Sequence, residues 1–228
     1  MLKILKPHLS IITLCCNRLE YTSQTISSVI SAVGDIEYEY IVVNAASFDG
    51  TKEWLNHVSQ LDYFKKLKPV HLNHNKGIWD GYSEGVKASS SEIILITDND
   101  IVVHTKDVGK IVLGSKYPYG MADFVEYQKN RRSKFVGYPV AFFYMDKKYF
   151  RFDYKLPDDY QNSGMQFFVH PDIICEHIDG GEANNYVDLS LSKIKYPPHI
   201  IYNNLEGNCP MGNSPFRQKG KESKFWRK

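Results

Sequence analysis

The sequence predicts an α/β fold built on a mostly parallel sheet with helices on both of its faces. Short apolar segments alternate with amphipathic segments over about the first 100 residues, as a parallel sheet joined by crossover helices requires. The apolar segments also end in loops rich in Asn, Asp and Gly. Such loops are typical of the carboxyl edge of a parallel sheet, which is where ligands bind.

The spacing of apolar residues defines the first two strand and helix units. Leu9–Cys16 is apolar and partly β-branched, which predicts a buried strand. Apolar residues then recur at i, i+3, i+4 and i+7 over Ile26–Val33, which is the spacing of one helical face, and Gly34 ends that helix. A second strand is predicted at Tyr38–Val43, and Asp49 is suited to cap the helix that follows it.

Two more strands follow. Pro69–Leu72 is predicted to be a short third strand, and Ile78, Tyr82 and Val86 then mark a helix at roughly four-residue spacing. Ile93–Ile96 is predicted to be a strand that is buried on both faces, because four apolar residues in a row leave no polar side to face water.

After this fourth strand the alternation of strands and helices is lost. Thr105 is predicted to cap a short helix that includes Val112, and Ala122–Tyr127 and Val140–Met145 are predicted to be strands. The remainder, to about Asn213, is predicted to be rich in loops because Gly, Pro and Asn are interleaved there.

Composition restricts the class of protein. With 228 residues, 43% hydrophobic and 24% charged, the chain is typical of a soluble globular protein, and its net charge of +2 makes no general case for a nucleic-acid partner. Its four cysteines lack Cys-x-x-Cys spacing, which favours a thiol-keeping cytoplasmic compartment. The first residues include lysines before Pro7, so they resemble neither a signal peptide nor a membrane span.

Asp98 and Asp100 follow the fourth strand, one residue apart. Two carboxylates at this position are hard oxygen ligands of the kind that Mg²⁺ and Mn²⁺ prefer. The alternative is a turn that ends the strand, since Asp and Asn favour turns.

Four segments, in order along the chain, resemble motifs of the inverting GT-A glycosyltransferases of family 2. Residues 10–18 resemble the first-strand motif of that group, and residues 42–51 resemble its Asp-Gly-Gly-Ser-x-Asp-Gly-Thr loop. Residues 75–81 are similar to the Lys-Gly-Ile-Tyr-Asp-Ala motif of one subgroup, and residues 98–100 stand where the family has its metal-binding Asp-x-Asp. The resemblance covers about residues 8–105.

The resemblance implies a single GT-A domain over residues 1–215. A nucleotide-sugar-binding half would occupy about residues 8–105 and an acceptor-side half about residues 106–215. The implied reaction transfers a sugar, with inversion, from a UDP, GDP or dTDP sugar to a hydroxyl of a glycan or lipid-linked acceptor. The resemblance also implies Mn²⁺ or Mg²⁺ as a cofactor, which would stabilise the charge that grows on the departing diphosphate.

The resemblance further implies which residues form the site. Asp100 would bind the metal directly, Asp98 would contact the ribose or reach the metal through water, and His177 would be a third ligand. A structural role is the alternative for His177. The residues implied to bind the nucleotide sugar are Cys15, Asn17, Arg18, Asn44, Asn75, Gly77, Asp80, Asp98 and Asn99.

Two loops depart from the family pattern. Asn44 stands where the family has Asp, and an amide can donate as well as accept a hydrogen bond, so the choice of base stays open. Cys15 and Cys16 replace the usual Thr-Tyr. A role as buried thiols is the favoured alternative for both cysteines.

Inversion requires a general base that takes the proton of the acceptor hydroxyl. By the resemblance this base follows the acceptor-side strand, where the chain has the acidic segment 152–162. Asp159 is the first choice, Asp158 the second and Asp153 the third. The alternative is a turn whose carboxylates face water.

The segment 216–228 is basic and contains three aromatic residues. It is interpreted as a solvated tail, as a peripheral membrane contact that would suit a lipid-linked acceptor, or as a segment that folds over the diphosphate.

Two other functions compete with glycosyl transfer. One is a degenerate GT-A domain that binds a nucleotide or glycan without catalysis. The other is a phosphatase of the haloacid-dehalogenase type, which also uses Asp-x-Asp after a strand. That motif normally opens its domain, whereas here it follows three strand and helix units.

Overall fold

The computed structural model describes residues 7–125, 134–137, 139, 141–155 and 157–178, with only the backbone at 157 and 158. The basic tail at 216–228, the domain limit at 215 and the predicted loops between 179 and 213 lie outside these residues. Within the described ranges, no helix combines the length and the apolar character needed to cross a bilayer.

The first half of the chain alternates strands and helices as predicted. Its three crossovers make β1, β2, β3 and β4 parallel neighbours in the order β3-β2-β1-β4. The elements are β1 (Leu9–Cys15), α1 (Leu19–Val33), β2 (Tyr38–Ala45), α2 (Thr51–Val58), β3 (Leu67–Leu72), α3 (Ile78–Ala88) and β4 (Ile93–Asp98).

The second half extends the same sheet in mixed directions. Its elements are β5 (Ile101–Val103), α4 (Val108–Leu113), β6 (Tyr119–Phe124), β7 (Phe135–Val136), β8 (Phe142–Asp146), α5 (Pro157–Asn162) and β9 (Phe167–His177). The order continues from β4 through β8, β6 and β9 to β5, and β7 also pairs with β9. Strand β8 is antiparallel to both β4 and β6. The predicted α/β fold is confirmed, with a mixed sheet in place of a mostly parallel one.

Helices α1 and α3 pack close to the sheet by different means. Helix α3 approaches β1 at Gly81 and Gly85, where an added Cβ would overlap the side chains of Leu14 and Ile12. Helix α1 instead buries hydroxyls. Thr25 Oγ1 accepts a hydrogen bond from the amide of Ile101 at 3.0 Å, and Ser28 Oγ accepts one from Val103 at 2.7 Å. These bonds satisfy amides of β5, which is the last strand of the sheet.

Two predictions about the second half were wrong. Thr105 does not cap α4, because its hydroxyl donates to the Asp172 carbonyl and accepts from the Ile174 amide, both at 2.8 Å. The loop-rich prediction also missed β9, which spans eleven residues, Phe167–His177. Strand β9 pairs irregularly with β6, and this local shift in register interrupts the alternation by which a strand is identified from sequence.

Glu39 forms a buried network near the amino ends of the strands. Its carboxylate accepts hydrogen bonds from Ser10 Oγ at 2.7 Å and from the Ser90 amide, Ser90 Oγ and Lys68 Nζ at 2.6 Å each. Burial by itself would raise the pKa of Glu39, but these hydrogen bonds outweigh it and lower the pKa from 4.5 to about 2. The network therefore favours the ionised carboxylate.

We expect Glu39→Gln to lower the free energy of unfolding by about 2–3 kcal/mol at pH 7, because an amide cannot replace the charge that Lys68 and the serines bind. The carboxylate contributes its stability above its unfolded pKa, so the difference from wild type should shrink as the pH falls from about 4.5 towards 2. Urea titrations across this range measure it. Glu37→Gln is the matched control, because Glu37 is exposed and its ion pair with Lys66 is long, at 3.8 Å. Equal losses in the two variants would contradict the expected role of Glu39.

Candidate functional site

Three loops meet at the carboxyl edge of β1, β2 and β4. The amide of Asn17, after β1, donates to Ser47 Oγ at 2.7 Å, and Asn17 Oδ1 accepts from the amide of Phe48 at 2.9 Å. Asn99, after β4, reaches the same loop through Nδ2, which lies 3.4 Å from the Asn17 carbonyl and 2.9 Å from Thr22 Oγ1. Asn17 and Asn99 were both predicted to bind a nucleotide sugar, and their hydrogen bonds connect the three loops to one another.

Asp49 holds two helix starts in place. Its buried carboxylate accepts from the amide of Leu19 at 2.9 Å and from the amide and hydroxyl of Thr51 at 3.1 and 2.6 Å. The residue therefore satisfies amides at the first turns of α1 and α2, although Gly50 occupies the N-cap position of α2. One carboxylate thus fixes the spacing of the first two loops.

The two predicted metal-binding carboxylates lie side by side at the end of β4. Asp98 is partly buried and accepts a hydrogen bond from the hydroxyl of Tyr82 on α3. Asp100 is 7% exposed, and its Oδ2 lies 3.1 Å from Nη1 of Arg18. Burial and the charge of Asp100 raise the pKa of Asp98 to about 6, against the lowering effects of Tyr82, His177 and Arg18. The neighbouring negative charges therefore repel each other.

Strand β9 brings His177 to the same place from the far end of the described chain. His177 pairs with Ile101 across the β5 and β9 ladder, and the next amide, that of Ile178, donates to the Asp100 carbonyl at 2.7 Å. The imidazole stacks on Phe124, with the ring centres 4.8 Å apart. The charge of His177 also acts on the pKa of Asp98, so the two side chains interact electrostatically.

The donor set at this edge suits a hard divalent cation. Two carboxylates and a nearby imidazole match the ligands of Mn²⁺ or Mg²⁺, and a cation would offset the repulsion between Asp98 and Asp100. In the arrangement seen here, Tyr82 and Arg18 bind the two carboxylates. Among the described residues, no three His, Cys, Asp or Glu side chains converge closely enough to form a complete cation site.

Asn44 is turned inwards. It is 1% exposed, its Oδ1 accepts from the amide of Ser47 at 3.0 Å, and its Nδ2 lies 3.3 Å from His71 Nδ1. On the other side of the ring, His71 Nε2 is hydrogen-bonded to Asn56 Oδ1 at 2.9 Å. These bonds fit a neutral imidazole with its proton on Nε2, and burial lowers the pKa of His71 accordingly. Asn44, predicted to bind the nucleotide sugar, is thus hydrogen-bonded to Ser47 of the second loop and to His71 of β3.

The two adjacent cysteines have different environments. Cys15 is buried with its Sγ 3.5 Å from the Val43 carbonyl, and burial raises the pKa of its thiol. It therefore belongs to the core and presents no side chain to a ligand. Cys16 is partly exposed, and its sulfur accepts from Asn75 Nδ2 at 3.4 Å. Asn75 Oδ1 in turn accepts from the amide of Gly77 at 2.8 Å, which places the loop before α3 beside the first loop.

Lys155 links one acceptor-side candidate, Asp159, to Asp80 at the start of α3. Lys155 Nζ bonds the carboxylate of Asp80, and its amide donates to Asp159 Oδ2 at 2.7 Å. The hydrogen bond from Lys155 lowers the pKa of Asp80. Asp153 is exposed and lies 2.9 Å from Nη2 of Arg151, which lowers the pKa of Asp153. The side chain of Asp158 lies outside the described residues.

A family model described as glycosyl transferase family 2 matches residues 10–173, which is more than half of the chain and includes all three loops. The chain belongs to glycosyl transferase family 2. The family match also reaches beyond the acidic pair through β8, α5 and much of β9, so it includes the acceptor-side candidates.

Individual proteins match this family 2 chain over different extents. It is 33% identical over 98 residues to a poly-β-1,6-N-acetyl-D-glucosamine synthase of Staphylococcus epidermidis, a match that covers 42% of this chain and 22% of the synthase. Its fold resembles the mannosyltransferase PcManGT of Pyrobaculum calidifontis in complex with GDP-Man and Mn²⁺, with a TM-score of 0.59, 15% identity, and coverage of 79% and 59% of the two chains. GalNAc-T7 with UDP, GalNAc and Mn²⁺ gives a TM-score of 0.59 at 11% identity, over 77% and 44% of the chains.

Sequence reasoning missed four side chains at this candidate site. The sequence predicts Tyr82 only as part of an apolar helical face. In the structure its hydroxyl donates a hydrogen bond to Asp98 at the end of β4. Lys155 and Trp79 connect α3 to the acceptor side, and only the tertiary fold reveals those contacts. Phe48 is 74% exposed beside Asn17, and the presence of an aromatic residue in a polar loop was the available signal.

Proposed function

We propose that this family 2 protein is a glycosyltransferase that moves a sugar, with inversion, from a nucleoside-diphosphate sugar to a hydroxyl acceptor and depends on Mn²⁺ or Mg²⁺. The observation that carries the proposal is the pair of carboxylates, Asp98 and Asp100, set beside Arg18 and His177 where three loops meet. Such a cluster can hold a cation and an anionic ligand together.

Asp100 and Asp98, with His177, would hold the cation. The cation would supply Lewis-acid stabilisation of the charge that develops on the leaving diphosphate. Tyr82 would orient Asp98 through its hydrogen bond, because the hydroxyl fixes one carboxylate oxygen and leaves the other available. Asp100 is buried and Asp98 is partly buried, which strengthens these interactions because it limits contact with water.

The nucleoside would lie over the first and second loops. Phe48 presents an exposed ring there, and stacking of a base on an aromatic ring contributes about 1–3 kcal/mol. Because Asn44 is engaged inside the second loop, base recognition would fall to backbone groups and to exposed side chains such as Asn75. The named relatives involve GDP-Man, UDP and N-acetyl-D-glucosamine, so UDP and GDP sugars are the first donors to test.

Asp159 is our candidate for the general base. It lies on α5, half-buried, and it is tied through Lys155 to Asp80 at the start of α3. Asp153 is less suitable, because the ion pair with Arg151 stabilises its carboxylate and so weakens it as a base. The acceptor we propose is a hydroxyl of a glycan or of a lipid-linked saccharide.

Measuring nucleotide release from UDP, GDP and dTDP sugars, with Mn²⁺ and then with EDTA, tests the proposed function. We expect release from at least one donor with Mn²⁺, stimulation by a glycan acceptor, and loss of activity with EDTA. Binding of a nucleotide without any release would instead identify a domain that binds without catalysis. Phosphate release from simple phosphomonoesters, without sugar transfer, would identify a phosphatase.

A further inference from the structure

Arg18 binds the very carboxylate that the proposed cation needs. Its Nη1 lies 3.1 Å from Asp100 Oδ2, and both side chains are largely buried, with 23% and 10% of their surfaces exposed. The guanidinium also lies over the ring of Tyr21, 4.2 Å from its centre. In these partly desolvated surroundings the Coulomb attraction between the two charges is greater than it would be on the open surface.

The backbone is arranged to aim Arg18 at this position. Asn17 and Arg18 both have left-handed backbone conformations, with φ of 58° and 60°, which cost energy for residues other than glycine. Neighbouring bonds hold them there, because the Asn17 amide binds Ser47 and the Leu19 amide binds Asp49. These bonds therefore maintain a strained turn, and the turn places the guanidinium of Arg18 against Asp100.

The position is also electrostatically unusual. Arg18 precedes the first residue of α1, where the helix dipole is positive and a cationic side chain is unfavourable. Asp100 compensates for this by supplying a negative charge across a separation of 82 residues in sequence. A divalent cation on Asp100 would remove that compensation and place a second positive charge beside the guanidinium.

We propose that Arg18 and the divalent cation compete for Asp100, and that Arg18 transfers to the nucleotide diphosphate when the cation binds. This inference rests on the proposed function. Arg18 is thus a positioning residue that holds the acidic pair while no nucleotide sugar is bound. When the cation and the nucleotide sugar are bound, the planar guanidinium is suited to the charged phosphate oxygens, because it can donate two parallel hydrogen bonds to them.

The competition gives two effects of opposite sign. Without Arg18, Asp100 is available and a positive charge is gone, so the cation alone should bind more tightly. The diphosphate, in contrast, should bind less tightly once the cation is in place. If Arg18 had only a structural role, its loss would loosen the joined loops and weaken both interactions.

The experiment measures Mn²⁺ binding by electron paramagnetic resonance, with wild type and Arg18→Gln and without nucleotide. We expect Arg18→Gln to bind Mn²⁺ about tenfold more tightly, and UDP at saturating Mn²⁺ about tenfold more weakly. Arg18→Lys, which keeps the charge, should stay near wild type for Mn²⁺ alone. Arg151→Gln removes another arginine from an ion pair, that with Asp153, and should leave Mn²⁺ affinity unchanged.

Unchanged or weaker Mn²⁺ binding by Arg18→Gln would overturn the proposal, as would a lack of Mn²⁺ binding by every variant. Unfolding temperatures of all variants establish that the comparison is made on folded protein. Because Mn²⁺ binding requires neither a sugar nor turnover, this result stands whether or not the donor panel reveals transfer. Tighter Mn²⁺ binding by Arg18→Gln without sugar transfer would contradict only the proposed function, and sugar transfer with unchanged Mn²⁺ binding by Arg18→Gln would contradict only the competition.

Discussion

Replacing Asp100 by Asn is expected to reduce sugar transfer by about 10²- to 10³-fold, the usual loss when one group that stabilises transition-state charge is removed. The amide keeps the size of the side chain but cannot bind the cation as an anion. It also leaves the guanidinium of Arg18 without the charge that it contacts at 3.1 Å. The measurement is kcat/KM for nucleotide release with saturating Mn²⁺, using the best sugar donor.

Asp146→Asn is the matched control for Asp100→Asn. Asp146 pairs with Ile93, so it lies beside the opposite end of β4, and its side chain is 3.3 Å from Lys148. We expect its activity to stay within about twofold of wild type, because a partly exposed ion pair contributes little. If Asp100→Asn transferred sugar as fast as Asp146→Asn, Asp100 could not have the proposed role.

Replacing Trp79 by Ala is expected to lower the free energy of unfolding by about 3–5 kcal/mol. Trp79 is 5% exposed and is the point where α3 meets β8 and α5. Its ring lies 5.4 Å from that of Tyr82, 6.1 Å from Phe143 and 5.5 Å from Tyr160. Removing it leaves a cavity that these rings can fill only in part, and urea denaturation monitored by circular dichroism measures the cost.

The neighbouring Ile78→Ala provides the control, since Ile78 is 60% exposed and should change stability by less than about 0.5 kcal/mol. Trp79→Phe retains an aromatic ring and should recover part of the loss. Because Trp79 packs on Tyr82, whose hydroxyl binds Asp98, Trp79→Ala should also weaken nucleotide binding. A loss in Trp79→Ala no larger than that in Ile78→Ala would show that this aromatic cluster does not support the fold.

The first half of the fold could be predicted because its pattern is local. Strands β1, β2 and β4 are mainly apolar, and the face of α1 repeats at helical spacing. The second half could not be predicted to the same extent. Strand β9 contains Pro171 and pairs irregularly with β6, so neither its apolar alternation nor its composition marks a strand. Its partners are also distant in sequence.

The acidic pair could be placed from the sequence, because two aspartates after a buried strand must lie at the edge of the sheet. Their partners could not be identified in the same way. Arg18 is 82 residues from Asp100, and Tyr82 reaches Asp98 from another element. Asn44 is the second-last residue of β2 and Asp98 is the last residue of β4, yet the side chain of Asn44 is buried against Ser47 and His71. Position along a strand gives the edge of the sheet but not the direction of each side chain.

A crystal structure grown with Mn²⁺ and the best nucleotide-sugar donor would test most directly whether this edge of the sheet is a cation and diphosphate site. We expect the anomalous signal of manganese in contact with a carboxylate oxygen of Asp100, the diphosphate bound to the same ion, and Arg18 moved from Asp100 to the phosphates. Manganese and nucleotide bound elsewhere, with the ion pair between Arg18 and Asp100 intact, would contradict the proposed site.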